Sequence, residues 1–130
     1  MKLVLVARVL LGLLFTVFGI MALFGIGPEP PELEGKAGDF MGGLVGSGYF
    51  FQFLKITEIL CGLLLLFGRY VPLALTVLAP IVLNIVLFHA FLAREPDAIV
   101  GIVALLLGLF LARAYRSSFA GVLNRSAQPD

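Results

Sequence analysis

Charged side chains are scarce in this sequence. They make up 13% of its 130 residues, whereas hydrophobic residues make up 61%, and the mean hydropathy is +1.11. A soluble domain carries about a quarter of its residues as charged groups. So few charges cannot cover a surface that faces water, and the excess apolar area must therefore face lipid. The composition predicts one domain embedded in a membrane.

Two further scarcities exclude classes of function. The formal net charge is only +1, so no strong field attracts nucleic acid, and no basic stripe with interleaved aromatic residues is present. The single cysteine, Cys61, has no partner for an intrachain disulfide and belongs to no CxxC motif. We interpret Cys61 as a small apolar side chain in a packed helix. One cysteine and one histidine at different depths also predict no metal site.

Four apolar segments are long enough to cross a bilayer as helices. They cover residues 3–26, 49–67, 70–93 and 98–115. Each would extend about 27 Å or more, which matches the hydrocarbon thickness. We interpret the first as a retained span rather than a signal peptide, because Arg8 interrupts it and no small-residue cleavage site follows. The sequence therefore predicts an all-α membrane protein, an antiparallel bundle of four transmembrane helices.

Prolines and the outer loop shape these segments. Pro72 lies in the first turn of the third span, where proline is tolerated, but Pro80 lies in the middle of that span and should kink it. Residues 94–97, Arg-Glu-Pro-Asp, are expected to end the third span and cap the fourth. The acidic loop 27–48 begins with helix-breaking prolines. Its apolar residues within 40–45 lie at helical spacing and predict a short interfacial helix.

The distribution of basic residues predicts the orientation. The side that holds both termini carries six of the nine basic residues, namely Lys2, Arg8, Arg69, Arg113, Arg116 and Arg125. The opposite side carries Lys36 and Arg94, together with most of the acidic residues. Because basic loops stay in the cytoplasm, we expect a protein of the cytoplasmic (inner) membrane with both termini inside.

Two charged residues lie inside the second span, where charges are costly. Lys55 and Glu58 are three positions apart and therefore share a helical face, and Gln52 extends the same row. Lys55 can extend toward the outer headgroups. Glu58 has a short side chain near the midplane, so it must be protonated or paired.

Lys55 on the same helix is one candidate partner for Glu58, and the other spans supply further candidates. Asn84 lies at a similar depth in the antiparallel third span, and His89 lies nearer its outer end. These two residues are separated by about 140° around their helix and are not expected to share a face. Arg8 enters from the inner side, about 12 Å below Glu58 along the bundle axis. The candidates for ligand binding or proton relay are therefore six residues: Arg8, Gln52, Lys55, Glu58, Asn84 and His89.

Four segments in a fixed order and spacing are typical of a known family. They run over residues 8–15, 55–69, 70–75 and 80–89 and include Arg8-Val-Leu-Leu-Gly12, Lys55-Ile-Thr-Glu58 and Asn84-Ile-Val-Leu-Phe-His89. In this pattern the sequence resembles the DoxX family, in particular its small bacterial branch, over almost the whole chain.

The resemblance implies a four-span layout and a link to redox chemistry. The family is named for a membrane subunit of a thiosulfate:quinone oxidoreductase. Quinone contact would then fall on Lys55, Glu58, Asn84 and His89. A related actinobacterial protein resembles the membrane anchor of a complex with a superoxide dismutase and a sulfurtransferase, which implies a redox protein as partner.

Three classes of function remain open from the sequence. The first is a membrane subunit or anchor of a redox-linked assembly, without independent catalysis, whose polar pocket takes a quinone. The second is a small-molecule transporter or channel component, which would need a homo-oligomer because four short helices leave little room for a pathway. The third is a structural or interaction protein whose buried charges fix helix packing. No catalytic residue is assigned in any of the three.

Overall fold

A computed structural model describes residues 1–27, 32–92 and 98–130, and its regular elements within those ranges are all helical. In chain order they are α1 (Lys2–Phe24), α2 (Gly35–Gly46), α3 (Phe50–Phe67), α4 (Val71–Phe91) and α5 (Ala98–Ala114), followed by a 3-10 helix at Arg116–Phe119. The predicted all-α membrane bundle is confirmed. A helix, α2, is present in the loop where a short helix was predicted, and its position at the membrane interface stays a prediction.

Three helices, α1, α3 and α4, are long and apolar enough to cross a membrane. Their surfaces fit this environment, because large apolar side chains such as Phe18 and Leu83 are about half exposed. Helix α5 is equally apolar but has 17 residues, a length of about 25 Å. That α5 forms the fourth span stays a prediction.

The helices form a closed ring around one apolar core. Helix α1 packs against α3 and α5, and α4 packs against the same two helices, so the order around the ring is α1, α3, α4, α5. Each of these helices contributes one fully buried leucine, namely Leu11, Leu65, Leu78 and Leu111. Helix α2 lies outside the ring against α3.

Helices α1 and α3 approach each other most closely. A Cβ atom at Gly62 would lie 2.5 Å from the Thr16 hydroxyl oxygen and 2.9 Å from the Gly12 carbonyl oxygen. Gly19 is similarly covered, by the side chain of Ile59. Small residues on both helices thus let the two backbones touch, as is common in membrane bundles.

A tight turn joins α3 to α4 and makes them antiparallel neighbours. Gly68 ends α3 in the left-handed conformation, with φ of 69°, and its N–H donates to carbonyl oxygens at the end of the helix. The N–H of Arg69 donates to the Leu64 carbonyl oxygen at 3.0 Å. Helix α4 then begins at Val71, with Pro72 in its first turn as predicted.

The interior of α4 and the chain end add two details. Pro80 lies inside α4, and the expected kink there stays a prediction. Phe119, in the 3-10 helix after α5, packs against the apolar core. The predicted capping by residues 94–97 and the helix break at residues 28–31 lie outside the described residues.

Candidate ligand site between α2, α3 and α4

A cavity of about 640 Å³ lies between α2, α3 and α4. Fourteen residues line it, and ten of them are apolar. The four polar ones are Lys55, Glu58, Asn84 and His89. A volume of several hundred Å³ with mostly apolar walls and a few convergent polar groups is typical of small-molecule sites. The structure thus brings together four of the six side chains that the sequence indicated.

Lys55 and Glu58 form an ion pair on α3. The Lys55 Nζ atom lies 3.0 Å from Glu58 Oε2, and the side chains are 22% and 5% exposed. The ammonium group also lies 5.5 Å from the centre of the Phe51 ring, a favourable position for a cation. The predicted need of Glu58 for a companion is therefore met by its own helix.

The ion pair leaves Glu58 short of hydrogen bonds. Lys55 Nζ is close to Oε2 but not in a hydrogen-bonding direction, so this buried oxygen has no hydrogen-bond donor among the described residues. The ammonium group 3.0 Å away offsets the charge of this oxygen, which has almost no accessible surface. Glu58 nevertheless lines the cavity, and a carboxylate group can accept a hydrogen bond from a ligand but cannot donate one.

His89 has a defined hydrogen-bonding role. Its Nδ1 atom lies 2.9 Å from the Ile85 carbonyl oxygen. A carbonyl oxygen only accepts, so Nδ1 must carry the proton of the neutral ring, and Nε2 is then an acceptor. The neutral ring therefore offers the cavity a hydrogen-bond acceptor.

Asn84 and His89 line the same cavity, contrary to the prediction that they would not share a face. The cavity wall on α4 is broad, running from Pro80 to His89. Because the cavity is concave and lies between three helices, side chains from a wide sector of α4 can line it, including both Asn84 and His89. In addition, the bond to the Ile85 carbonyl oxygen holds the His89 ring over the preceding turn.

Gln52 and Arg8 do not line the cavity. Gln52 is exposed, because six positions along a helix rotate a side chain by about 120° away from Glu58. The guanidinium group of Arg8 lies against Gly68 at the C-terminal end of α3, where a Cβ atom would come within 2.6 Å of it. Arg8 therefore does not extend toward Glu58 in this structure.

The contribution of α2 to the site was not predicted from the sequence. Phe40, Met41 and Leu44 of α2 line the cavity, and the Phe40 ring packs against Phe88 of α4 with centroids 5.5 Å apart. Their helical spacing was a visible signal, but it indicated a helix at the membrane interface and did not reveal the surface that this helix covers.

The apolar helices and their exposed apolar surfaces define a helical integral membrane protein that crosses the bilayer several times. The sequence model of the DoxX family matches residues 3–90, more than half of the chain, so the protein belongs to the DoxX family. The match includes every residue that lines the cavity. Comparisons with curated proteins and with solved structures find no significant match.

Proposed function

We propose that the protein is a membrane subunit or anchor of a redox-linked assembly, and that its cavity holds the ring of a quinone-type lipid. In this proposal a redox protein is the partner, and the protein has no independent catalytic activity. A bound quinone would supply two-electron, two-proton chemistry. The observation that carries the proposal is the charged pair Lys55–Glu58 in the wall of an otherwise apolar cavity.

The lining of the cavity fits such a ring. Aromatic side chains from all three helices, including Phe40, Phe51 and Phe88, can pack against its faces. The ammonium group of Lys55 makes one ion pair and keeps further N–H groups that can donate to a ring oxygen. Asn84 offers both a donor and an acceptor. A charged pair that served only to fix helix packing would not require a cavity beside it.

Quinone should copurify with the protein. We expect solvent extraction of protein purified from its native membrane in mild detergent to yield quinone in an amount comparable to the protein. Adding duroquinone, a tetramethyl benzoquinone, to quinone-free protein should raise the midpoint of thermal unfolding, because a ligand that binds only the folded state stabilises it. The measurements are chromatography of the extract and a thermal unfolding curve.

A control on α3 makes this test specific. Thr57→Val alters an α3 residue that does not line the cavity and should leave both results unchanged, whereas Lys55→Met removes the ammonium donor to a ring oxygen and should weaken both. Absence of quinone from the extract, together with an unchanged unfolding midpoint, would contradict the proposal. Solute flux through proteoliposomes that Glu58→Gln abolishes would favour a transporter instead.

The proposed orientation places both termini in the cytoplasm and α2 on the outer face of the inner membrane. Cysteines can be introduced at the exposed positions Lys36 and Ser126 in a Cys61→Ala background. A membrane-impermeant maleimide added to intact spheroplasts should label Lys36→Cys and should label Ser126→Cys only after permeabilisation. The reverse pattern would contradict the orientation that the basic residues predict.

A further inference from the structure

The polar groups of the cavity can form different hydrogen bonds with the oxidised and the reduced form of a ring ligand. A quinone has carbonyl oxygens, which only accept hydrogen bonds, whereas a quinol has hydroxyl groups, which donate and accept. The comparison therefore depends on which cavity groups need a donor and which can supply one. This step rests on the proposed function, because it concerns the ligand of the same cavity.

Two groups need a donor. Glu58 lines the cavity, and its carboxylate group accepts hydrogen bonds but cannot donate one. His89 presents Nε2 as an acceptor, because its Nδ1–H is used by the Ile85 carbonyl oxygen. A carbonyl oxygen beside either group would bring two acceptors together, and no hydrogen bond would form between them. A hydroxyl group at the same place would donate to it.

The remaining polar groups do not discriminate. The ammonium group of Lys55 can donate to a carbonyl or to a hydroxyl oxygen, and the amide of Asn84 can donate as well as accept. These groups would hold either redox form. The difference in affinity between the two forms should therefore come from Glu58 and His89.

We infer that the cavity binds the reduced, hydroxyl-bearing form of its ring ligand more tightly than the oxidised form. One additional hydrogen bond to a buried acceptor is worth about a tenfold difference in affinity. Sites built to bond a hydroxyl group reject analogues that lack it for the same reason. A tenfold preference would raise the two-electron midpoint potential of the bound pair by about 30 mV.

Titration calorimetry of the detergent-solubilised protein with duroquinol and with duroquinone tests the inference. Both titrations are run without oxygen, and dithionite keeps the quinol reduced. We expect both forms to bind and duroquinol to bind about tenfold more tightly. Equal binding, or tighter binding of duroquinone, would overturn the inference while leaving the proposed function intact. Failure of both compounds to bind would overturn the two together.

The His89→Phe variant assigns the preference to a residue. It keeps an aromatic ring of similar size but removes the acceptor, so it should weaken duroquinol binding and leave duroquinone binding unchanged, and any preference that remains is then due to Glu58. Thr57→Val is the matched control, because its hydroxyl group donates to the Phe53 carbonyl oxygen and lies away from the cavity. A preference that is undiminished in His89→Phe would remove His89 from the explanation. Should that variant fail to fold, the comparison of the two ligands on the unaltered protein still decides the inference.

Discussion

The Lys55→Met substitution is expected to lower the free energy of unfolding by about 3 kcal/mol. The substitution removes the cation that lies 3.0 Å from Glu58 Oε2 and leaves a carboxyl group of low exposure without its companion. Breaking a buried ion pair on one side costs about 3–5 kcal/mol, and the partial exposure of Lys55 places this case at the lower end. The measurement is a denaturation curve in mixed detergent micelles.

Removing both charges should restore most of that loss. The double variant Lys55→Met/Glu58→Leu has no buried charge, and replacement of both members of an ion pair by apolar residues is often neutral or stabilising. Gln52→Leu is the control, since this α3 residue is exposed and lies outside the cavity; it should change stability by less than about 0.5 kcal/mol. A double variant that is less stable than Lys55→Met alone would contradict the claim that Lys55 stabilises the fold by compensating the charge of Glu58.

The second large effect is expected at Gly62. A methyl group there would meet the Thr16 hydroxyl at 2.5 Å and backbone atoms of α1 at 2.9 Å, and a backbone cannot move aside without separating the two helices. Overpacking of this kind costs about 1–3 kcal/mol, and we expect Gly62→Ala to lie near the upper limit. Denaturation curves in the same micelles measure it.

Gly108 provides the matched comparison for Gly62. It is also inside a helix, but a Cβ atom there would have no atom of the other described parts of the chain within 4 Å. Gly108→Ala should therefore be neutral or should stabilise the protein by up to about 1 kcal/mol through helix propensity. Equal effects of the two substitutions would contradict the close approach of α1 and α3.

Much of the fold follows from the sequence because lipid imposes a simple rule. A mostly apolar segment that is long enough to cross the bilayer must be helical, since its backbone has no water to bond. The predicted segments 3–26 and 49–67 therefore agree with α1 and α3 to within two residues at each end. The tight turn at Gly68 can also be predicted from the sequence. The apolar segments 49–67 and 70–93 leave only two residues between them, and so short a connection allows only antiparallel helices.

The site was only partly predictable because helical spacing specifies a direction around one helix but not what lies there. Lys55 and Glu58 are close in sequence, so their pairing was accessible. Gln52 was placed in the same row by counting in threes, although each such step rotates the side chain by about 60°. The contribution of α2, and of Phe40 in particular, depends on how that helix folds back over α3 and α4. The hydrophobic periodicity of the sequence does not indicate which helices α2 contacts.

The most direct test of the proposed site is calorimetric titration of duroquinone into the double variant Lys55→Met/Glu58→Leu alongside the unaltered protein. The double variant should remain folded, so a loss of binding can be assigned to the two charged groups. We expect the unaltered protein to bind duroquinone and the double variant to bind it at least tenfold more weakly. Equal affinity of the two proteins would contradict the assignment of the ligand to this cavity.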